Sequence, residues 1–166
     1  MKVIGLAGWS GAGKTTLLTR LIPHLRESGL RVSVIKHAHH KFDVDKPGKD
    51  SFRHREAGAE EVLVSSANRW ALMHELRGEA EPTLRQLLAK LAPVDLGLIE
   101  GYKREPHRKI EVRAGGEPMA PADPNIVAVA ADEQPQDGRL PWFRRDDIGG
   151  IADFIAGLPA RPSSSS

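Results

Sequence analysis

Near its start the chain carries glycines, a lysine and a threonine at the spacing of a phosphate-binding loop. The run from Gly8 to Thr15, GWSGAGKT, fits the pattern G-x-x-x-x-G-K-[S/T]. Glycines let the backbone curl until several amide N–H groups point at one anion, and a following helix adds its positive dipole. The lysine of this pattern reaches β- and γ-phosphates, and its hydroxyl ligates Mg²⁺. The spacing predicts a nucleotide site with catalytic Lys14 and a loop formed by Gly11, Ala12, Gly13, Lys14, Thr15 and Thr16.

Two acidic residues bracket a short apolar run at residues 95–100, DLGLIE, which we expect to be a buried strand. At about 3.3 Å per residue, the two carboxylates lie about 16 Å apart, at opposite ends of the strand. Ligands of parallel sheets gather at the carboxyl ends of the strands. Glu100 is therefore the predicted acidic catalytic residue. Together with Thr15 it is also a predicted Mg²⁺ ligand. Asp95, at the other end, is interpreted as a residue at the entry to the strand. A solvated carboxylate at the strand end is the alternative for Glu100.

A polar loop, residues 36–49, follows the second predicted strand. It lies beside the phosphate loop if that strand adjoins the first. One of its carboxylates could then position an attacking water, and Asp45 is the catalytic candidate, with Asp50 as the other choice. The same loop carries His37, His39 and His40. These imidazoles suit a transition-metal site, an anion contact when protonated, or simple solvation.

The loop after Glu100, residues 101–109, holds four cations, and it leaves the same edge of the predicted sheet. Lys103 and Arg104, with His37, are candidate contacts for a second anion or a partner, and a solvated loop is an equal alternative. Farther on, Asp132 follows a late strand. Its carboxylate could accept hydrogen bonds from guanine N1 and N2, although an aspartate that initiates a turn fits the sequence equally well.

Short β-like runs alternate with segments of helical periodicity along the chain. This alternation predicts an α/β fold of the P-loop NTPase type, with a mostly parallel sheet flanked by helices and an antiparallel hairpin near residues 61–74. We expect one nucleotide-binding domain over residues 1–158 and a disordered tail over residues 159–166, which is rich in proline and serine. The predicted strands span residues 3–7, 31–35, 61–65, 70–73, 95–100, 110–112 and 126–130, and the predicted helices span residues 16–25, 50–57, 81–91 and a final segment capped by Asp146 or Asp147.

Composition excludes several classes of function. The 166 residues include no cysteine, so there is no disulfide framework and no thiolate metal site. No apolar stretch approaches the ~20 residues of a membrane span, and the N-terminal run lacks a signal cleavage site. A net charge of +2 without a dense basic stripe argues against nucleic-acid binding. We therefore expect a cytoplasmic protein with no nucleic-acid or membrane partner.

Taken together, these motifs resemble the MobB family, the GTP-binding molybdopterin-guanine dinucleotide biosynthesis protein B, over roughly residues 2–156. The phosphate loop alone would be generic, and the later runs make the likeness specific. The resemblance is carried by Gly8–Thr16, Val34–His40, Phe42–Asp45, Gly48–Ser51, Arg55–Ala59, Ile99–Lys103 and Lys109–Val112.

The resemblance implies a homodimeric P-loop protein that binds GTP and Mg²⁺ and hydrolyses GTP slowly. It further implies an accessory role: the protein would assist a separate guanylyltransferase that joins GMP to molybdopterin in molybdenum cofactor biosynthesis, and molybdopterin could itself bind. The chain has no second glycine motif of the nucleotidyltransferase kind, so we do not expect it to be the transferase. By position, the phosphate-loop residues would bind phosphates and Mg²⁺, and Glu100 would be the acidic strand-end residue.

Three other functions fit parts of the sequence. A small-molecule kinase could use the same phosphate loop, with Arg53, Arg55 or Arg104 supplying charge to a lid. A metallochaperone GTPase could use the histidines of the loop after the second strand. A binding adaptor, in which the nucleotide only orders loops, would show negligible hydrolysis.

Overall fold

The structure is a computed structural model that describes residues 1–38, 42–136 and 138–160. His39, His40 and the predicted tail from residue 161 onward lie outside the described residues. The chain divides into two compact units, one of Met1–His37 with the segment from Leu84 onward, and one of Ala38–Thr83. The strands are β1 Lys2–Ala7, β2 Val32–Lys36, β3 Glu61–Ser65, β4 Trp70–His74, β5 Leu96–Glu100, β6 Lys109–Arg113, β7 Ile126–Ala131 and β8 Trp142–Arg144; the helices are α1 Lys14–Glu27, α2 Asp50–Glu56, α3 Leu84–Lys90 and α4 Ile148–Gly157.

The larger unit is built on a six-stranded sheet in the order β2-β5-β1-β6-β7-β8, and every neighbouring pair is parallel. Strand β5, which lies between β2 and β1, is buried along its whole length, LGLIE, as its apolar residues Leu96–Ile99 predict. In the register of the sheet, Glu100 is paired with Leu6 of β1 on one side and with Lys36 of β2 on the other. The carboxyl ends of β1, β2 and β5 therefore meet at one edge.

Helices α1 and α4 supply apolar faces to the core of this unit. Leu17, Leu21 and Leu25 of α1 recur every four residues and are buried, because this spacing puts them on one face of the helix. Helix α4 buries Ile151 and Ile155 in the same cluster. The N-terminal cap of α4 is Asp147, whose carboxylate accepts a hydrogen bond from the Gly150 amide at 2.9 Å.

The smaller unit contains α2 and an antiparallel β3-β4 hairpin. The hairpin pairs Leu63 with Leu72 and Ser65 with Trp70, so that these side chains share one face. That face is exposed: Leu63, Trp70 and Leu72 have 60%, 67% and 42% of their surface accessible.

The predicted α/β architecture with its antiparallel hairpin is confirmed, and two details differ from the expectation. Strand β2 does not adjoin β1, because β5 lies between them. Strand β8 was not predicted, since its three residues, WFR, are too few to show a period. The predicted single domain over residues 1–158 stays a prediction. Among the described residues, no helix is long and apolar enough to cross a membrane.

Candidate functional site

The phosphate loop connects β1 to α1 at the carboxyl edge of the sheet. Gly8 and Gly13 have φ of 156° and 90°. A Cβ atom on Gly8 would lie 2.4 Å from the carbonyl oxygen of Val112, so a larger residue cannot fit there without moving the backbone. At Gly13 a Cβ atom would lie 3.3 Å from Nη1 of Arg145. The backbone of the loop thus has the curled form that presents amide groups to an anion.

Lys14 folds back across this loop. Its ammonium donates hydrogen bonds to the carbonyl oxygens of Gly8, at 3.0 Å, and Trp9, at 2.9 Å. The pKa of Lys14 is lowered, first by burial and then by the like charges of Lys103 and Lys36, while Glu100 opposes the shift. Among the residues that the structure describes, Lys14 forms no ion pair with a carboxylate, and a bound phosphate group would supply one.

The Glu100 carboxylate stands opposite the loop. Its Oε1 atom accepts a hydrogen bond from the Thr15 hydroxyl at 2.7 Å and lies 3.3 Å from the Lys36 ammonium. The parallel register places Lys36 beside Glu100 across β2 and β5. Thr15 and Glu100 offer a hydroxyl and a carboxylate oxygen side by side, which is the donor set that Mg²⁺ prefers. The two predicted metal ligands are therefore brought together, and they fit that ion.

The loop after Glu100 turns sharply back over the site. Gly101 has φ of 100°, and Tyr102, with φ of 49°, adopts a left-handed conformation that is rare outside glycine. The Tyr102 ring stacks on His37 with centroids 4.6 Å apart. This turn carries Lys103 over the indole of Trp9, with the ammonium 5.0 Å from the ring centroid. Two of the three candidate anion contacts, His37 and Lys103, thus lie at this edge, and Arg104 is exposed on the same loop.

Asp132 lies just beyond β7, and it is paired with a residue that the sequence analysis missed. Arg145 donates from Nε to one carboxylate oxygen at 2.7 Å and from Nη2 to the other at 2.5 Å. Its Nη1 donates to the carbonyl oxygen of Ala12 in the phosphate loop at 3.2 Å. The hydrogen bonds from Arg145 lower the pKa of Asp132. Arg145 directly follows β8, so missing that strand also concealed the residue.

Asp45 belongs to the smaller unit, where its carboxylate holds its own loop. Its Oδ1 accepts hydrogen bonds from the Ser51 hydroxyl and the Lys46 amide, each at 2.9 Å. Arg55 lies 3.5 Å from Oδ2 and also pairs with Asp43 and Glu75. These contacts explain why Asp45 is ordered, and its catalytic role stays a prediction.

Asp95 lies at the opposite end of β5, as its position in the strand predicted. Its carboxylate accepts hydrogen bonds from the backbone amide and the side chain of Arg31, at 2.8 and 3.3 Å. Across the described ranges 1–38, 42–136 and 138–160, no three His, Cys, Asp or Glu side chains are grouped to hold a metal ion. The metal site considered for His37, His39 and His40 includes two residues outside those ranges, so the described residues do not test it.

The parallel sheet, the glycine loop between β1 and α1, and the acidic residue at the end of β5 define a protein with the P-loop NTPase fold. The family model of molybdopterin guanine dinucleotide synthesis protein B, MobB, matches residues 3–132. The chain belongs to this family, and the resemblance found in its sequence is confirmed.

Two relatives are each named molybdopterin-guanine dinucleotide biosynthesis adapter protein. The protein of Escherichia coli (strain K12) is 43% identical over 159 residues, which are 92% of this chain and 90% of the relative. The protein of Haemophilus influenzae (strain ATCC 51907 / DSM 11121 / KW20 / Rd) is 41% identical over 158 residues, covering 92% and 86%.

Solved structures show the same architecture. A crystal structure of molybdopterin-guanine biosynthesis protein B matches with a TM-score of 0.77 and 33% identity, covering 94% of this chain and 97% of that one. The crystal structure of Bacillus subtilis MobB matches with a TM-score of 0.76 at 24% identity, covering 97% and 100%, and supports the fold alone.

The lowered pKa of Lys14 generates a direct test. In the nucleotide-free protein, the Lys14 resonance of ¹³C-labelled lysine should titrate at a pKa below the ordinary lysine range. Because a phosphate anion stabilises the ammonium, adding pyrophosphate should raise this pKa, so anion affinity falls as pH rises through the empty-site value. Lys103→Met should also raise the pKa, since it removes a like charge. A pKa of Lys14 that neither change moves would contradict this description.

Proposed function

We propose that this chain is a GTP-binding adapter protein with slow Mg²⁺-dependent hydrolysis, which assists a separate guanylyltransferase in joining GMP to molybdopterin. The observation that supports it most is the grouping of Lys14, Thr15 and Glu100 at the carboxyl edge, in a chain of the MobB family. The printed names of the relatives point to the pathway. Such a protein would act in the cytoplasm, without nucleic acid or membrane.

The electrostatics of the site suit a polyphosphate. Lys14 interacts with the charges of Lys36, Lys103 and Glu100, and Lys36 lies 3.3 Å from Glu100, so three ammonium groups share the site with this carboxylate. This surplus of positive charge, together with the loop amides, would stabilise the charge of a triphosphate and hold its terminal group. Mg²⁺, when bound, would supply positive charge that neutralises the phosphates. Thr15 and Glu100 would hold that ion or its waters, and Lys14 would move from the loop carbonyls to the phosphates.

We expect slow turnover because the predicted phosphate-site motifs contain no arginine for the transferring group. Position and charge can lower the barrier to phosphoryl transfer, but fast P-loop NTPases add an arginine at the transferring group. The predicted motifs of this chain supply lysines there, and a partner protein could supply the arginine. Asp45 remains our candidate for orienting the water. His37, Lys103 and Arg104 would contact a second anion, either molybdopterin phosphate or an acidic surface of the transferase.

Guanine preference would come from Asp132. A carboxylate accepts hydrogen bonds from both N1–H and the C2 amino group of guanine, whereas adenine has no donor at N1. Asp132 follows β7 and is bridged by Arg145 to Ala12 of the phosphate loop, which keeps it near a nucleotide held there. An exposed aspartate is ionised at neutral pH, as such an acceptor must be, and pairing with Arg145 lowers the pKa of Asp132 further.

Homodimerisation would use the exposed hairpin face formed by Leu63, Trp70 and Leu72. A two-stranded sheet is marginally stable alone, and its apolar face gains free energy when another surface covers it. We propose a second copy of this chain as that surface, because one self-complementary face is enough to form a two-fold dimer.

The central test replaces the phosphate-loop lysine. Lys14→Ala should weaken GTP binding by about tenfold to a hundredfold or more, because it removes charge-assisted hydrogen bonds to the phosphates. Calorimetric titration with GTP and ATP, with and without Mg²⁺, followed by phosphate release over hours, measures both binding and turnover. Lys90→Ala, an exposed residue at the end of α3, is the control. Wild-type GTP affinity in Lys14→Ala would overturn the proposal, and phosphate transfer to an added alcohol would favour a kinase.

The base contact has its own test. Asp132→Asn should change the preferred nucleotide from GTP to xanthosine triphosphate. The amide oxygen can still accept a hydrogen bond from N1–H, but the amide NH₂ group donates one to the C2 carbonyl of xanthine. Competition of the two nucleotides for the variant, with the wild-type protein alongside, measures the exchange. If the ratio of affinities for the two nucleotides is the same in the wild-type protein and the variant, Asp132 does not contact the base.

The dimer proposal predicts that Trp70→Glu shifts the protein to monomer, because a charge buried at an apolar interface is costly. Sedimentation velocity measures the shift, and Asn68→Glu, in the exposed turn of the same hairpin, is the matched control. A wild-type protein that is monomeric at all concentrations, or a Trp70→Glu dimer of unchanged affinity, would contradict the hairpin interface.

A further inference from the structure

We propose that Arg145 is a specificity-determining residue. Before nucleotide binds, Arg145 occupies the hydrogen-bonding positions on Asp132 that guanine takes, so the base must displace Arg145 in order to bind. This inference rests on the proposed guanine contact of Asp132. It adds a residue and an exchange of hydrogen bonds that the proposed function does not require.

The geometry shows that the carboxylate is already engaged. Arg145 binds Asp132 through two different nitrogens to two different oxygens, at 2.7 and 2.5 Å. This is the parallel, bidentate pairing of a guanidinium with a carboxylate. Its neighbour Arg144 pairs instead with Asp146, at 3.2 Å.

The two ligands are chemically equivalent at this point. The edge of guanine presents N1–H and the C2 amino group side by side, which is the same pair of parallel N–H donors that a guanidinium presents. One carboxylate edge can take only one such pair. Guanine and Arg145 therefore compete for Asp132, whereas adenine, with no donor at N1, leaves the arginine in place.

The pairing is weak enough to be exchanged. The side chains of Asp132 and Arg145 are 59% and 31% exposed, so water screens their charges and replaces their hydrogen bonds. Exposed pairs of this kind are worth roughly two- to fivefold in an equilibrium constant. Once displaced, Arg145 keeps its other contact, to the Ala12 carbonyl, and so stays beside the phosphate loop.

The test uses the full chain and the ratio of affinities for GTP and ATP, because both nucleotides feel the loss of charge near the phosphates equally. Arg145→Met removes the competing donors and should raise the preference for GTP by about two- to fivefold. Arg144→Met removes a positive charge that also acts on Asp132 but whose own ion pair is with Asp146, so it is the charge control and should change the ratio less than Arg145→Met. Arg145→Lys keeps the charge but cannot pair through two parallel N–H groups, so it should raise the ratio in the same direction.

A second readout does not depend on affinity. The ¹⁵N signal of the Arg145 side-chain Nε–H, assigned from the Arg145→Lys spectrum, should move when GTP is added and stay in place with ATP. A signal that responds equally to both nucleotides, or a ratio that falls or does not change in both Arg145 variants, would overturn the exchange.

The outcomes separate this inference from the proposed function. If Asp132→Asn exchanges GTP for xanthosine triphosphate while the Arg145 variants leave the GTP-to-ATP ratio unchanged, the base contact stands and the exchange with Arg145 is wrong. If neither set of variants changes nucleotide preference, both the base contact and the exchange are overturned.

Discussion

The carboxylate of Glu100 is the contact on which the site depends. Its buried strand β5 lies between β1 and β2, so one oxygen meets the hydroxyl of Thr15 at 2.7 Å and the ammonium of Lys36 at 3.3 Å. The parallel register enforces this meeting, because Glu100 is paired with Leu6 on one side and Lys36 on the other. A shift of one residue would turn Glu100 to the opposite face of the sheet and leave the phosphate loop without an acidic partner.

Placing a carboxylate there has an energetic consequence. A buried charge is stable only when it is paired and hydrogen-bonded, and Lys36 and Thr15 meet that need. The pKa of Lys14 is depressed first by burial and then by the like charges of Lys103 and Lys36, and the Glu100 carboxylate offsets only part of this shift. The empty site is therefore a basic surface that a polyphosphate would neutralise. In the proposed adapter, which would bind nucleotide and turn it over slowly, binding and positioning would matter more than rate.

The base end of the site is assembled differently. Asp132 and Arg145 follow β7 and β8, two neighbouring strands at one side of the sheet, and Arg145 connects Asp132 to the phosphate loop through Ala12. In the proposed function, one side chain would therefore link recognition of the base to recognition of the phosphates. The exposed hairpin face belongs to the smaller unit and would serve the proposed association of two copies.

The sequence by itself determined the features that are local. The glycine spacing of the phosphate loop, the helix that follows it and the two ends of the strand with Asp95 and Glu100 are set by backbone conformations and periods within a few residues, and these predictions are confirmed. Tertiary structure alone decided which strands are neighbours: β5 inserts between β1 and β2, and β8, too short to show a period, carries Arg145 to Asp132. Asp45 likewise appeared free to act on a ligand, and only the folded unit shows its pairing with Ser51 and Arg55. Strand order and side-chain pairing join residues far apart in the chain, and no local pattern encodes them.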